Sequence, residues 1–89
     1  MKITLNFAGI ATPAQAQEYI KTALAFPEYY GKNLDALYDM LSTWDRGTRF
    51  VLRLPAAPQA DMAAYLPRLT RVFQDAARDN RRIDVRVVE

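Results

Sequence analysis

Ile3, Leu5 and Phe7 alternate with Lys2, Thr4 and Asn6 at the start of the chain. This is the two-residue period of a strand with one face toward a core. Gly9 closes the run. Thr12-Pro13-Ala14-Gln15 has the form of a capping box with proline at the first helical position. Ala16, Tyr19, Ile20, Ala23 and Leu24 follow at helical spacing, which predicts a helix from Pro13 to about Ala25. Pro27 requires an exit just before it. Phe26 to Lys32 reads as an ordered loop, and Asn33 is a good N-cap for a second helix from Leu34 to about Ser42. Leu34, Leu37, Tyr38 and Leu41 form its apolar stripe.

Thr48 to Leu54 alternates again, with Phe50, Leu52 and Leu54 inward and Arg49 and Arg53 outward. Pro55 and Pro58 break the chain. Asp61 can cap a short helical segment that Pro67 ends or kinks, because an internal proline costs a helix about 3 kcal/mol. A new helix is expected from Pro67 to about Asn80 over Leu69, Val72, Phe73 and Ala76, with Ile83 to Val88 as the last strand. Tyr19, Tyr65 and Phe73 sit at core spacing. The order β-α-α-β-α-β, with helices between all strands, predicts an α/β fold of two layers. Its sheet is small, parallel and three-stranded.

At 89 residues, half of them hydrophobic, the chain is sized for one domain spanning 1–89. It has no cysteine and no histidine. Disulfides, thiolate nucleophiles and imidazole metal ligands are thereby excluded, and the commonest general base is missing. An enzyme is therefore not expected. The alternating start is unlike a signal peptide, and no run is long enough to span a bilayer, so the expectation is a cytoplasmic protein without membrane contact.

Net charge is +2, unevenly spread. Between Glu28 and Asp45 four acids (Glu28, Asp35, Asp39, Asp45) face one base, Lys32, while the remaining chain is basic. The same region is rich in aromatic residues. Asp35 and Asp39 lie one turn apart, about 6 Å along the helix axis, and point away from the leucine stripe. Like charges at this spacing cost a helix roughly 0.2–0.5 kcal/mol. Asp35 recovers a similar amount from the helix dipole, but Asp39 does not.

The pair is open to several readings. It can be a plain solvated face. A general acid and base would need one carboxyl protonated, which exposure opposes. Two aspartates are too few oxygens for a metal site. Presentation of charge to a cationic groove, rimmed by tyrosine and tryptophan, suits the pattern best.

The segment Pro27-Glu-Tyr-Tyr-Gly-Lys-Asn-Leu-Asp-Ala-Leu-Tyr-Asp39, followed by Leu41 and Trp44, closely resembles the central segment of the barstar family, intracellular inhibitors of barnase-type bacterial ribonucleases. The match is dense over about 20 residues; element order, chain length and Val72-Phe73-Gln74-Asp75-Ala76 extend it weakly across the chain. The resemblance implies a barstar-like fold and a one-to-one complex that plugs a ribonuclease active site. It implies no enzyme activity, no cofactor and no metal. By position, Asp39 would occupy the phosphate pocket, where arginines and the catalytic histidine donate to it, with Asp35 meeting basic and polar groups nearby. Tyr29 would stack on that histidine, and Tyr30 would accompany it from the loop. Asn33, Tyr38, Ser42, Thr43 and Trp44 would line the contact, and Asp75 would add a peripheral carboxylate.

The chain departs from the family in places. The better-known inhibitor is strongly acidic, whereas this chain has a pI near 9.2. Tyr38 and Thr43 stand where that protein has tryptophan and glycine, Met40 replaces a cysteine, and Asp75 is shorter than the expected glutamate. Trp44 can equally be a core lid over the second helix. Two other functions compete: a barstar-like immunity or adaptor module for another cationic protein, and an RNA-binding module. Arg68, Arg71, Arg78 and Arg82 line one side of the last helix, with Arg81 and Arg86 following. Asp75 and Asp79 interleave with them as on a salt-bridged solvated face, and no aromatic there offers bases a platform. No direct nucleic-acid partner is therefore expected.

Overall fold

The strands form where the two-residue alternation can bury one side and hydrate the other. In a computed structural model describing all 89 residues, β1 (Lys2–Asn6), β2 (Thr48–Arg53) and β3 (Ile83–Val88) make a parallel sheet in the order β1-β2-β3. Lys2 is in register with Arg49, and Thr48 with Ile83. Leu5, Phe50, Leu52 and Ile83 point inward and are buried. Both crossovers move across the sheet in one direction, so right-handedness puts all three helices on the same face. The other face stays open. This is the two-layer α/β arrangement expected from the pattern, and it fixes the strand order that the pattern left undetermined.

Helix α1 spans Pro13–Ala23, with the Thr12 side chain accepting from the Gln15 amide at 3.1 Å. It stops two residues before the expected end. Ala25 takes φ 55°, the Phe26 amide reaches the Lys21 carbonyl at 3.0 Å, and the Ala25 amide reaches Thr22 at 3.3 Å. These are the two bonds of a Schellman termination. Alanine there, in place of glycine, stores roughly 1–2 kcal/mol of left-handed strain. Helix α2 covers Leu34–Ser42, the expected bounds.

Helix α3 corrects the sequence expectation. It is one continuous helix, Ala60–Asp79, with Pro67 inside it, and Gln59 rather than Asp61 stands at its N-cap. Met62 and Leu66 before the proline are buried on the same face as Leu69, Phe73 and Ala76 after it. Burying large apolar side chains at roughly 1.5–3 kcal/mol each outweighs the roughly 3 kcal/mol cost of the proline. Pro67 and Ala63 both face solvent, so the Ala63 carbonyl deprived of its partner can be hydrated.

Candidate functional site

The N-terminus of α2 is built locally. Asn33 accepts from the Ala36 amide at 2.7 Å, and Leu37 and Leu41 are fully buried beneath the helix. That anchoring turns Asp35 and Asp39 to solvent, as the periodicity predicts. Neither carboxylate has an ion-pair partner within 4 Å, and neither does Asp45. The other two charges of the acidic segment are neutralised from α1: Lys21 pairs with Glu28 at 3.0 Å and Lys32 with Glu18 at 2.5 Å. The Lys32 ammonium holds the Glu18 carboxyl below its ordinary range, and Glu18 holds Lys32 above its own. What remains is an uncompensated acidic surface of three aspartates.

Tyr29 stands beside that surface and is 83% exposed, the most exposed large apolar side chain. Its loop runs between two left-handed residues, Ala25 and Lys32, each at φ 55°. The two lysine–glutamate pairs tie this loop to α1. Ser42 and Thr43 both turn their hydroxyls back to the Asp39 carbonyl, at 2.9 and 3.2 Å. They close the end of α2 beneath Asp39. Thr43 is exposed and Ser42 half-buried.

Four expected contact residues lie elsewhere than on a free surface. Tyr30 is only 4% exposed; its hydroxyl donates to Gln17 Oε1 at 2.5 Å, and Gln17 donates onward to the Tyr65 hydroxyl at 2.7 Å. Burial pushes the Tyr30 phenol well above its ordinary value. Trp44 is 7% exposed, and its indole donates to the buried Thr48 hydroxyl at 2.9 Å. Edge-to-face contacts with Phe26 and Phe50 complete its surroundings, with the Arg46 guanidinium 4.4 Å over the ring. Both side chains support the loop and the α2 exit as large apolar bodies with one satisfied polar atom.

Tyr38 is half-buried, and its hydroxyl donates to Asp79 on α3 at 2.5 Å. The bond holds Asp79 below the usual carboxylate range and raises the Tyr38 phenol. Asp75 sits between Arg71 at 3.6 Å and Arg78 at 3.4 Å, so its charge is already engaged.

The sequence reading missed the polar groups that clamp this surface. Buried Asn80, the C-cap of α3, donates from Nδ2 to the Leu41 and Trp44 carbonyls, both at 2.9 Å. It supplies a donor to the Trp44 carbonyl and a second one to the Leu41 carbonyl, which also accepts from the Trp44 amide at 3.1 Å, so the exit from α2 is closed by polar partners. Gln17 joins α1 to the loop and α3. Its one sequence signal was a polar residue set between Ala16 and Ile20 of the apolar stripe.

The family model for barstar, described as the barnase inhibitor, matches residues 1–89. A Bacillus subtilis (strain 168) protein, YrdF, named as a candidate ribonuclease inhibitor, is 38% identical over 58 residues. That match covers 64% of each chain, so this chain spans just under two thirds of the relative.

Proposed function

The chain belongs to the barstar family, and from that premise we propose that it inhibits a small barnase-type bacterial ribonuclease by binding one to one over its active site. One observation carries the reading: Asp35 and Asp39 are solvent-exposed carboxylates without ion-pair partners, beside an exposed Tyr29, while the nearby Glu18 and Glu28 are paired with lysines. A ribonuclease site is built to hold anionic phosphates, and carboxylates on a rigid helix can occupy it. Asp39 enters the phosphate pocket, Asp35 engages basic groups beside it, and Tyr29 lies flat on the catalytic imidazole. Asn33, Ser42, Thr43 and the exposed edge of Tyr38 form the rim. Asp75 contributes little, being held by Arg71 and Arg78.

Inhibition of this kind needs no catalysis by the inhibitor, no cofactor and no metal. It protects a cell, from within the cytoplasm, against its own secreted enzyme or a neighbour's toxin. Because the whole chain is not acidic, steering of the encounter falls to the local α2 surface. The test is titration of the chain into a barnase-type ribonuclease while RNA cleavage is followed, with Asp39→Ala alongside. Wild type removes activity at one equivalent. Asp39→Ala, folded as judged by circular dichroism, loses about 2–5 kcal/mol of binding, more than Asp35→Ala or Asp75→Ala. The range is the general one for buried charge pairs, barnase with barstar being among the systems that define it. Equal inhibition by Asp39→Ala overturns the assignment of that residue, and no inhibition by wild type moves the partner to another cationic protein.

A further inference from the structure

Most of the excess positive charge lies on the open face of the sheet and beside it, away from the α2 site. Alternation places Lys2, Thr4, Asn6, Arg49, Val51, Arg53, Asp84, Arg86 and Val88 on that face, four cations against one carboxylate. Asp84 is taken by Arg49 at 2.8 Å. Lys2, Arg53 and Arg86 have no carboxylate within 4 Å, nor do Arg81 and Arg82 at the entry to β3. On α3, by contrast, Arg71 and Arg78 are engaged by Asp75 and Asp79, and only Arg68 is without a carboxylate partner.

We propose that the open sheet face of this chain binds the phosphate backbone of RNA without sequence preference. The register puts Arg49 beside Lys2 and opposite Asp84, with Arg86 opposite Val51 and Val88 opposite Arg53. Strand spacing then sets Lys2, Arg49, Arg86 and Arg53 in a zigzag with steps of roughly 5–8 Å. A line of point charges on an extended surface fits a polymer carrying one negative charge per nucleotide.

The apolar content of the face selects this occupant. It holds only two valines, with no aromatic, leucine, isoleucine or methionine. Protein interfaces draw most of their energy from a few buried anchors, aromatic side chains prominent among them, and interfacial membrane binding gains strength from buried apolar area. Phosphate binding needs neither. The absence of aromatic platforms also removes base stacking, so binding is ionic and indifferent to sequence.

The probe is a fluorescein-labelled 20-nucleotide oligouridylate, followed by anisotropy with the full chain from 25 to 200 mM salt. Expected is binding at 25 mM that falls steeply with salt. In the triple variant Lys2→Ala/Arg53→Ala/Arg86→Ala, the slope of log K against log salt falls by about 2, at roughly 0.7 for each phosphate that is no longer neutralised. These side chains are exposed, so circular dichroism and ribonuclease inhibition should stay as in wild type. The double variant Arg71→Ala/Arg78→Ala should bind like wild type. Three results overturn the proposal: no binding by wild type at 25 mM salt, a triple variant with the wild-type slope, or loss of binding in the helix variant alone. A salt-sensitive dimer in sedimentation that the triple variant abolishes, without RNA binding, would make a second copy the occupant instead.

Discussion

Replacing Asn80 by alanine removes the clamp between the end of α3 and the end of α2. Two hydrogen bonds from Nδ2 go, to Leu41 and Trp44, and the bond that Oδ1 accepts from the Arg82 amide goes with them. Net hydrogen bonds contribute about 0.5–1.5 kcal/mol each, and a buried carbonyl left alone costs about 1–3 kcal/mol. Water can enter the vacated space and satisfy part of the deficit, so the expected loss is about 2–4 kcal/mol. Against a typical total of about 5–15 kcal/mol this is a large fraction.

Urea unfolding followed by fluorescence reads the loss directly, because Trp44 is the single tryptophan and its own carbonyl is one of the acceptors. A second variant sharpens the test. Asn80→Asp keeps the shape and the acceptor for Arg82 but sets a carboxylate against two carbonyl oxygens, so at pH 7 it should be less stable than Asn80→Ala. A cost below about 0.5 kcal/mol for alanine, on the ordinary mutational scale, or an aspartate variant more stable than the alanine one, refutes the reasoning.

Pro67→Ala should stabilise the chain by about 2 kcal/mol. It restores the amide for the Ala63 carbonyl and removes the ring, worth about 3 kcal/mol, while the freer unfolded chain takes back up to about 1; an unchanged urea midpoint would show that the helix already accommodates the ring. Tyr38→Phe should lower stability in a pH-dependent way. Asp79 is depressed in the fold, so its share of stability is present above the ordinary carboxylate pKa and is lost as pH falls through the lowered value. The Tyr38 phenol is raised, so its share is present below its ordinary pKa near 10 and is lost as pH rises through the higher value. The difference between wild type and Tyr38→Phe should therefore be widest from about pH 5 to 9 and shrink on both sides, and a difference that fails to shrink both below and above that window would exclude the Tyr38–Asp79 bond as its source.

Short-range chemistry made most of this fold readable from residues alone. Asn33 and Thr12 announced their helices because capping is decided within four positions. The alternation in β1, β2 and β3 announced a sheet with one wet face. Pro67 misled because its local cost is plain in the sequence, whereas the burial of Met62 and Leu66 that offsets it is tertiary. The burial of Tyr30 and Trp44 was hidden for a related reason. Both belong to an aromatic-rich segment that reads as an interface, but whether an aromatic side chain faces solvent depends on partners far along the chain, Gln17 for one and Phe50 for the other. Asn80 was invisible because nothing near it in sequence records a need for a donor at the end of α2.

The register of the sheet bears on how the chain acquires its shape. Every strand pairing joins residues some 35 to 47 positions apart, and no hairpin exists to nucleate it. Helices relax in microseconds or less, whereas such long closures must be completed before the pairing rewards them. The helices therefore gather first and the sheet closes last around β2, the strand that both neighbours need. A destabilising change in α1, formed early, should therefore slow refolding at least as much as an equally destabilising change in β2.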